Sequence, residues 1–216
     1  MRLTVFGATG GVGREVVQQA LDAGHEVTAV VRDPARLPRP DRPGLTVATV
    51  ADLTDRAALR PVLEGRSAVV SALGPRGRRQ AKAAPVTGPA LRSVVEVMDR
   101  LGVRRLAVVS AAPLGPTPPG EGLLTRAIGY PLLRAVFSDV YADLAVMERV
   151  LAASGTEWTV IRPPRLLDRP RTGSYRRVVD GNVPNGRSIG RADVADALLS
   201  CLDDPATVRH AVGVSS

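Results

Sequence analysis

The residues with the clearest chemical meaning near the start of the chain are glycines. Gly7, Gly10 and Gly13 stand three apart in Gly7-Ala8-Thr9-Gly10-Gly11-Val12-Gly13-Arg14. The run follows a short apolar segment, Leu3 to Phe6, and opens a helical stripe of Val12, Val16, Val17, Ala20 and Leu21. A strand, a tight glycine turn and a helix start together make an anion site. Backbone N–H groups point outward at the helix N-terminus, and the helix dipole favours negative charge there. Gly7 permits the turn, Gly10 leaves room for phosphate, and Gly13 lets the helix approach the strand. Thr9, Gly11 and Val12 complete the loop. The ligand this context implies is the pyrophosphate of a dinucleotide.

The next informative position ends the second apolar segment, at Val30-Val31-Arg32-Asp33-Pro34. An acidic residue there holds a ribose 2′-hydroxyl, as in NAD sites, whereas an arginine suits a 2′-phosphate. Arg32 therefore points to NADP(H), with Arg14 or Arg36 in reach to assist. Asp33 beside it keeps NAD(H) open as the lesser alternative.

These residues need a scaffold. Short apolar segments at 3–6, 26–31, 45–50, 68–73, 106–110 and 158–161 alternate with helical patterns at 11–23, 57–63 and 87–101. The strands are continuously apolar, which marks a parallel sheet covered on both faces. The expected fold is α/β: a doubly wound, Rossmann-type parallel sheet in a single domain spanning 1–216. A small C-terminal substrate-binding portion is expected with it. Residues 111–121 read as a Pro/Gly loop, 123–153 as a long helical stretch broken near Gly129-Tyr130-Pro131, and 168–185 as a polar excursion. A last helix is expected at 192–202 and a last strand at 208–214. Segments 111–141 and 165–188 are the expected walls of a substrate pocket.

Composition narrows the class. Of 216 residues, 44% are hydrophobic and 23% charged, a globular balance. Met1-Arg2-Leu3 runs straight into a strand pattern, so no signal peptide is expected. No apolar run is long enough for a membrane span. The expected setting is the cytoplasm, as a monomer or homodimer. Cys201 is the single cysteine, which excludes an intrachain disulfide and a multi-thiolate metal site. The formal charge of +8 could suit nucleic acid, but the arginines are spread along the chain and aromatics are only 3%. The densest basic run, Arg76, Arg78, Arg79 and Lys82, has no interleaved aromatics for stacking on bases. No nucleic-acid partner is expected.

The chain resembles atypical short-chain dehydrogenase/reductases. The resemblance rests on Gly7-x-x-Gly10-x-x-Gly13, Val31-Arg32-Asp33-Pro34, Ala51-Asp52, Ser71-Ala72-Leu73-Gly74 and Val109-Ser110. It continues through Trp158-Thr159-Val160-Ile161-Arg162-Pro163-Pro164 and Ile189-x-Arg191-x-Asp193-Val194-Ala195. It is similar to the NAD(P)H-binding group that includes biliverdin-IXβ reductase/flavin reductase and NmrA-like proteins. The resemblance implies that Asp52, with Leu53, holds the adenine and that Ala72, Leu73 and Gly74 line the cofactor ribose. It implies that Ser110 lies near the nicotinamide and that Pro163 and Pro164 pass beside its ring. Asp52 and Ser110 could instead simply cap strand ends.

The same comparison sets the catalytic question. The main short-chain dehydrogenase line uses Tyr-x-x-x-Lys; here the run is Tyr141-Ala142-Asp143-Leu144-Ala145. Lys82 is the only lysine, and His25 and His210 fall in unsuitable places. Ser110 and Tyr141 are the candidate catalytic residues. The expected activity is NADPH-dependent hydride transfer to a flavin, quinone or other conjugated aromatic small molecule, with little acid–base help. The alternative is a redox-sensing regulator that binds NADP(H) without turnover.

Overall fold

The computed structural model describes residues 1–37, 41–74, 86–118 and 135–216. The chain begins with β1 (Arg2–Phe6), α1 (Gly11–Asp22), β2 (Glu26–Val31), β3 (Leu45–Thr49), α2 (Arg56–Leu63) and β4 (Ala68–Ser71). It continues with α3 (Thr87–Leu101), β5 (Arg105–Val109), α4 (Ser138–Ala152), β6 (Glu157–Arg162) and β7 (Arg165–Leu167). It ends with β8 (Arg176–Val179), β9 (Ser188–Gly190), α5 (Arg191–Ser200) and β10 (His210–Ser215).

The main sheet runs β3-β2-β1-β4-β5-β6-β10-β8. Its first seven strands are parallel, and β8 closes the edge antiparallel to β10. The strand order reverses between β1 and β4, which leaves a crevice at their carboxyl ends.

Side chains alternate across the strands, so each strand feeds two cores. Leu3, Val5, Val27, Ala29 and Val70 pack with Val16 and Ala20 of α1 and Val194 and Leu198 of α5. Phe6, Val30, Val69, Leu106 and Val108 pack on the other face with α2, α3 and α4, through Leu59, Leu91, Val94, Met98 and Met147. The doubly wound parallel sheet expected from the continuous apolar strands is the observed fold.

The C-terminal half holds more structure than its composition suggests. The polar excursion at 168–185 contains β8, which reads Arg-Arg-Val-Val. An edge strand needs only one neighbour and leaves much of itself to solvent, so it lacks an apolar signature. β7 and β9, three residues each, pair in a separate two-stranded sheet that flanks the excursion. Within the long helical stretch, α4 covers 138–152, and the interruption near 129–131 lies outside the described residues. So do Arg76, Arg78, Arg79, Lys82 and the apolar residues 123–133.

Asp143 joins α4 to the start of α3. Its carboxylate accepts from the amides of Val86 (2.9 Å), Thr87 (2.8 Å) and Gly88 (2.8 Å) and from Thr87 Oγ1 (2.6 Å). Burial raises its pKa, but these bonds to the charged form outweigh it and hold the carboxyl below its usual 3.8. Gly88 allows the close approach: a Cβ there would lie 2.8 Å from Val146 Cγ1.

Candidate functional site: a dinucleotide crevice

The glycine turn is built into the switch between β1 and β4. Gly7 has φ +75°, and a Cβ on it would stand 2.5 Å from the carbonyl oxygen of Ala72, where the chain leaves β4. A Cβ on Gly13 would stand 2.1 Å from the Gly7 carbonyl oxygen. Neither position tolerates a side chain. Gly10 is the N-cap of α1 and no side chain caps the helix there. The first-turn amides of α1 are thus left as donors for an external anion. Val12 turns its side chain into the core and offers only backbone.

Beside this turn lies a cavity of about 340 Å³. It is lined by Gly7, Thr9 and Gly10 from the turn, by Arg32, Asp33 and Arg36 after β2, and by Asp52 and Leu53 after β3. Ala72, Leu73 and Gly74 after β4 and Val86, Pro89 and Ala90 at the start of α3 complete it. Nine of the fourteen residues singled out for cofactor binding therefore share one space. Gly11, Val12, Gly13, Ser110 and Pro163 are not part of its lining, nor is Tyr141.

The charges in the cavity have definite partners. Asp33 accepts from the Ala35 amide (3.1 Å) and caps the short turn Pro34–Arg36. Arg14 donates to the Arg36 carbonyl at 3.4 Å, which brings its guanidinium to the Arg36 backbone. Asp52 accepts from the Thr54 amide (2.8 Å) and hydroxyl (2.8 Å), and these bonds lower its pKa below the usual 3.8. The capping role open to Asp52 is thus realised, and its carboxylate remains on the cavity wall.

Further along the crest, β5 and β6 end side by side. Ser110 is buried and its amide donates to the Ile161 carbonyl at 2.8 Å. Its hydroxyl donates to Glu148 Oε1 at 2.6 Å. Arg162 grips the same carboxylate in two places, Nε to Oε1 at 3.1 Å and Nη2 to Oε2 at 2.6 Å. The Glu148 and Arg162 side chains are 18% and 14% exposed, so this pair is well shielded. Pro163 accepts from the Ala112 amide (2.9 Å), and Asn182 Nδ2 donates to the carbonyls of Ala112 (2.7 Å) and Pro116 (3.0 Å). The two segments expected to wall a substrate pocket are thereby joined.

Sequence reasoning missed Glu148. Its only signal is the helical spacing Tyr141 to Glu148, seven residues along one face of α4. Tyr141 itself is partly buried, against the core and near the Phe137 ring, whose centroid is 6.1 Å away. His25 precedes β2 and lies 3.1 Å from the N-terminal amine, and His210 starts β10 and pairs with Asp180 at 2.6 Å. Both are at amino ends of strands, away from the crevice. Among the described residues, no cluster of His, Cys, Asp and Glu could hold a metal.

The crevice fits a nicotinamide dinucleotide. It offers a cradle that only glycine permits, an uncapped helix start for a pyrophosphate, and an arginine-lined cavity on the β2 side for the adenosine half. A comparison with family models agrees: residues 7–205 match the family described as NAD(P)H-binding. The chain is 34% identical to the 3-diazoavenalumate denitrifying reductase of a Streptomyces species, covering 85% of this chain and 64% of that one. The fold matches the anaerobilin reductase ChuY of Escherichia coli O157:H7 at a TM-score of 0.78 and 23% identity, over 100% and 97% of the two chains. It also matches a short-chain dehydrogenase/reductase of Veillonella parvula in complex with NADP, at 0.80 and 20% identity, over 100% and 94%. Crevice, glycine turn and family match together establish that this chain belongs to the NAD(P)H-binding family, on a Rossmann-type fold.

Proposed function

We propose that the chain is an NADPH-dependent reductase that passes hydride to a flavin, quinone or other conjugated aromatic small molecule. The observation that carries the choice of NADPH is the arginine grouping at the end of β2. Arg32 and Arg36 line the cavity, Arg14 reaches toward them, and Asp33 has turned its carboxylate to a backbone amide. A 2′-phosphate would meet two or three guanidinium groups, a charge-assisted arrangement that a 2′-hydroxyl cannot use.

When bound, the cofactor supplies the hydride; the residues of this chain supply position. A dinucleotide seated on the glycine turn would extend its second half toward the ends of β4, β5 and β6, near Ser110 and Pro163. The segments 111–118 and 165–188, joined through Asn182, wall the acceptor site. An electron-poor ring that takes hydride directly needs orientation more than proton transfer. That matches a site in which the hydroxyl of Ser110 is already committed to Glu148. The relatives named above as reductases support an acceptor of small-molecule size.

Titration with both cofactors tests the first half of the reading. NADPH should bind at least tenfold more tightly than NADH, and Arg32→Ser should remove most of that advantage while leaving NADH unchanged. Equal affinities in the wild type would overturn the preference. Oxidation of NADPH in the presence of flavins and quinones tests the second half. Tight binding with no turnover across that panel would instead support a redox-sensing regulator, a reading favoured by the commitment of the Ser110 hydroxyl to Glu148.

A further inference from the structure

The last helix of the sheet region starts directly above the glycine turn. Arg191 is the first residue of α5, and α5 packs along α1, with Gln19 Nε2 donating to the Ala192 carbonyl at 2.8 Å. The Arg191 side chain lies across Gly11, the first residue of α1. A Cβ on Gly11 would stand 2.6 Å from Arg191 Cδ and 2.8 Å from its Nε. Gly11 is thus glycine for a reason different from Gly7 and Gly13: it clears a channel for a side chain rather than for backbone. The channel delivers a guanidinium to the uncapped start of α1. There its Nη1 is held by Asp168 at 2.5 Å. The Asp168 end of the pair is 90% exposed, so water screens the contact and leaves it weak. A solvated pair of this kind is readily exchanged for a better anion.

We propose that Arg191 is a cofactor-binding residue that clamps the pyrophosphate from above, opposite the amides of α1, with Asp168 holding it ready. The inference rests on the dinucleotide reading of the crevice. It differs in kind from the role of Arg32. The pyrophosphate is common to NADPH and NADH, so Arg191 acts on both cofactors equally and contributes nothing to the choice between them. It also ties the cofactor to the β7–β9 region, because Asp168 directly follows β7 and Arg191 directly follows β9.

Binding constants for NADPH, NADH and ADP-ribose test this without any acceptor. Arg191→Met should weaken all three by about tenfold, the cost of a lost charge-assisted contact, and leave the NADPH/NADH ratio as in the wild type. Gly11→Ala should weaken them too, by displacing the Arg191 side chain, but should add little in the Arg191→Met background. Circular dichroism and the thermal midpoint confirm that each variant is folded. Unchanged or tighter binding in a folded Arg191→Met protein overturns the clamp while leaving the dinucleotide reading intact. So does strict additivity of the two substitutions. Failure of the wild type to bind any of the three ligands overturns both.

Discussion

Ser110 and Glu148 decide what the crest can do with a proton. An ionised carboxylate accepts hydrogen bonds and donates none. Held twice by Arg162, the Glu148 carboxylate accepts the Ser110 hydroxyl at 2.6 Å, which leaves the serine oxygen only its lone pairs to offer another group. A cofactor or substrate N–H or O–H that reached Ser110 would then meet an acceptor, and a poor proton donor. General acid catalysis contributes typically 10²–10⁴-fold when a side chain provides it. Ser110→Ala should therefore lower kcat by less than about tenfold, measured with whichever acceptor is turned over. A loss beyond about a hundredfold would identify Ser110 as the proton source after all. Much of the cofactor half was legible at this scale, because glycines under steric constraint and an arginine after a strand are local signals. Glu148 was not, since a lone carboxylate on a helix gains meaning only when β5 and β6 bring Ser110 and Arg162 to it.

At the scale of elements, the start of α3 depends on a residue from α4. α3 begins at Thr87, next to the cavity residues Val86, Pro89 and Ala90, and its own N-cap side chain makes no cap. Asp143 takes that place from 56 residues away in sequence, as its bond to the Thr87 amide shows. Replacing Asp143 with Asn leaves one acceptor oxygen for donors on both sides and sets an N–H₂ against one of them. The cost should be about 1–3 kcal/mol at neutral pH by denaturant unfolding, the range for a lost cap or an unmet buried donor. The pH dependence has a definite sign. The folded-state pKa of Asp143 is lowered, so its contribution is complete above the usual 3.8 and is lost as pH falls through the lower folded value. The gap between wild type and Asp143→Asn should accordingly narrow below about pH 4. A gap that stays constant to pH 2 would show that the charge is not what matters. Asp143 stands inside the Tyr141–Ala145 run that drew notice for its missing lysine. Its structural task could not be read there, because its partners lie on another helix.

Over the whole molecule, the described residues put the candidate site and a buried polar knot at opposite ends of the sheet. The carboxyl ends of the strands carry the glycine turn, the arginines and the crest. The amino ends carry a buried knot around Arg105, the first residue of β5. Its guanidinium donates to the carbonyls of Glu157, Cys201 and Leu202 and to Thr159 Oγ1 at 2.8 Å, and Thr159 in turn donates to the Thr207 carbonyl at 2.7 Å. No carboxylate pairs with Arg105 among the described ion pairs, so its charge is met by carbonyl and hydroxyl dipoles. The alternation of apolar strands and helical stripes made the parallel sheet legible. β7, β8 and β9 escaped because short or edge strands carry no apolar run. A molecule arranged this way can vary the loops over its crevice without disturbing the knot beneath.

The thiol of Cys201 lies in that knot, 3% exposed, and burial pushes its pKa up to about 11. Burial therefore keeps the thiol protonated at neutral pH, and thiolate is the reactive form. As the chain's single cysteine, Cys201 is a natural clock for opening of the amino-end knot. A disulfide reagent should label the folded protein orders of magnitude more slowly than the denatured chain, and the ratio reports how often the knot comes apart. Saturating NADPH should slow labelling if the crevice and the knot open together. An unchanged rate would show that the two ends of the sheet open independently.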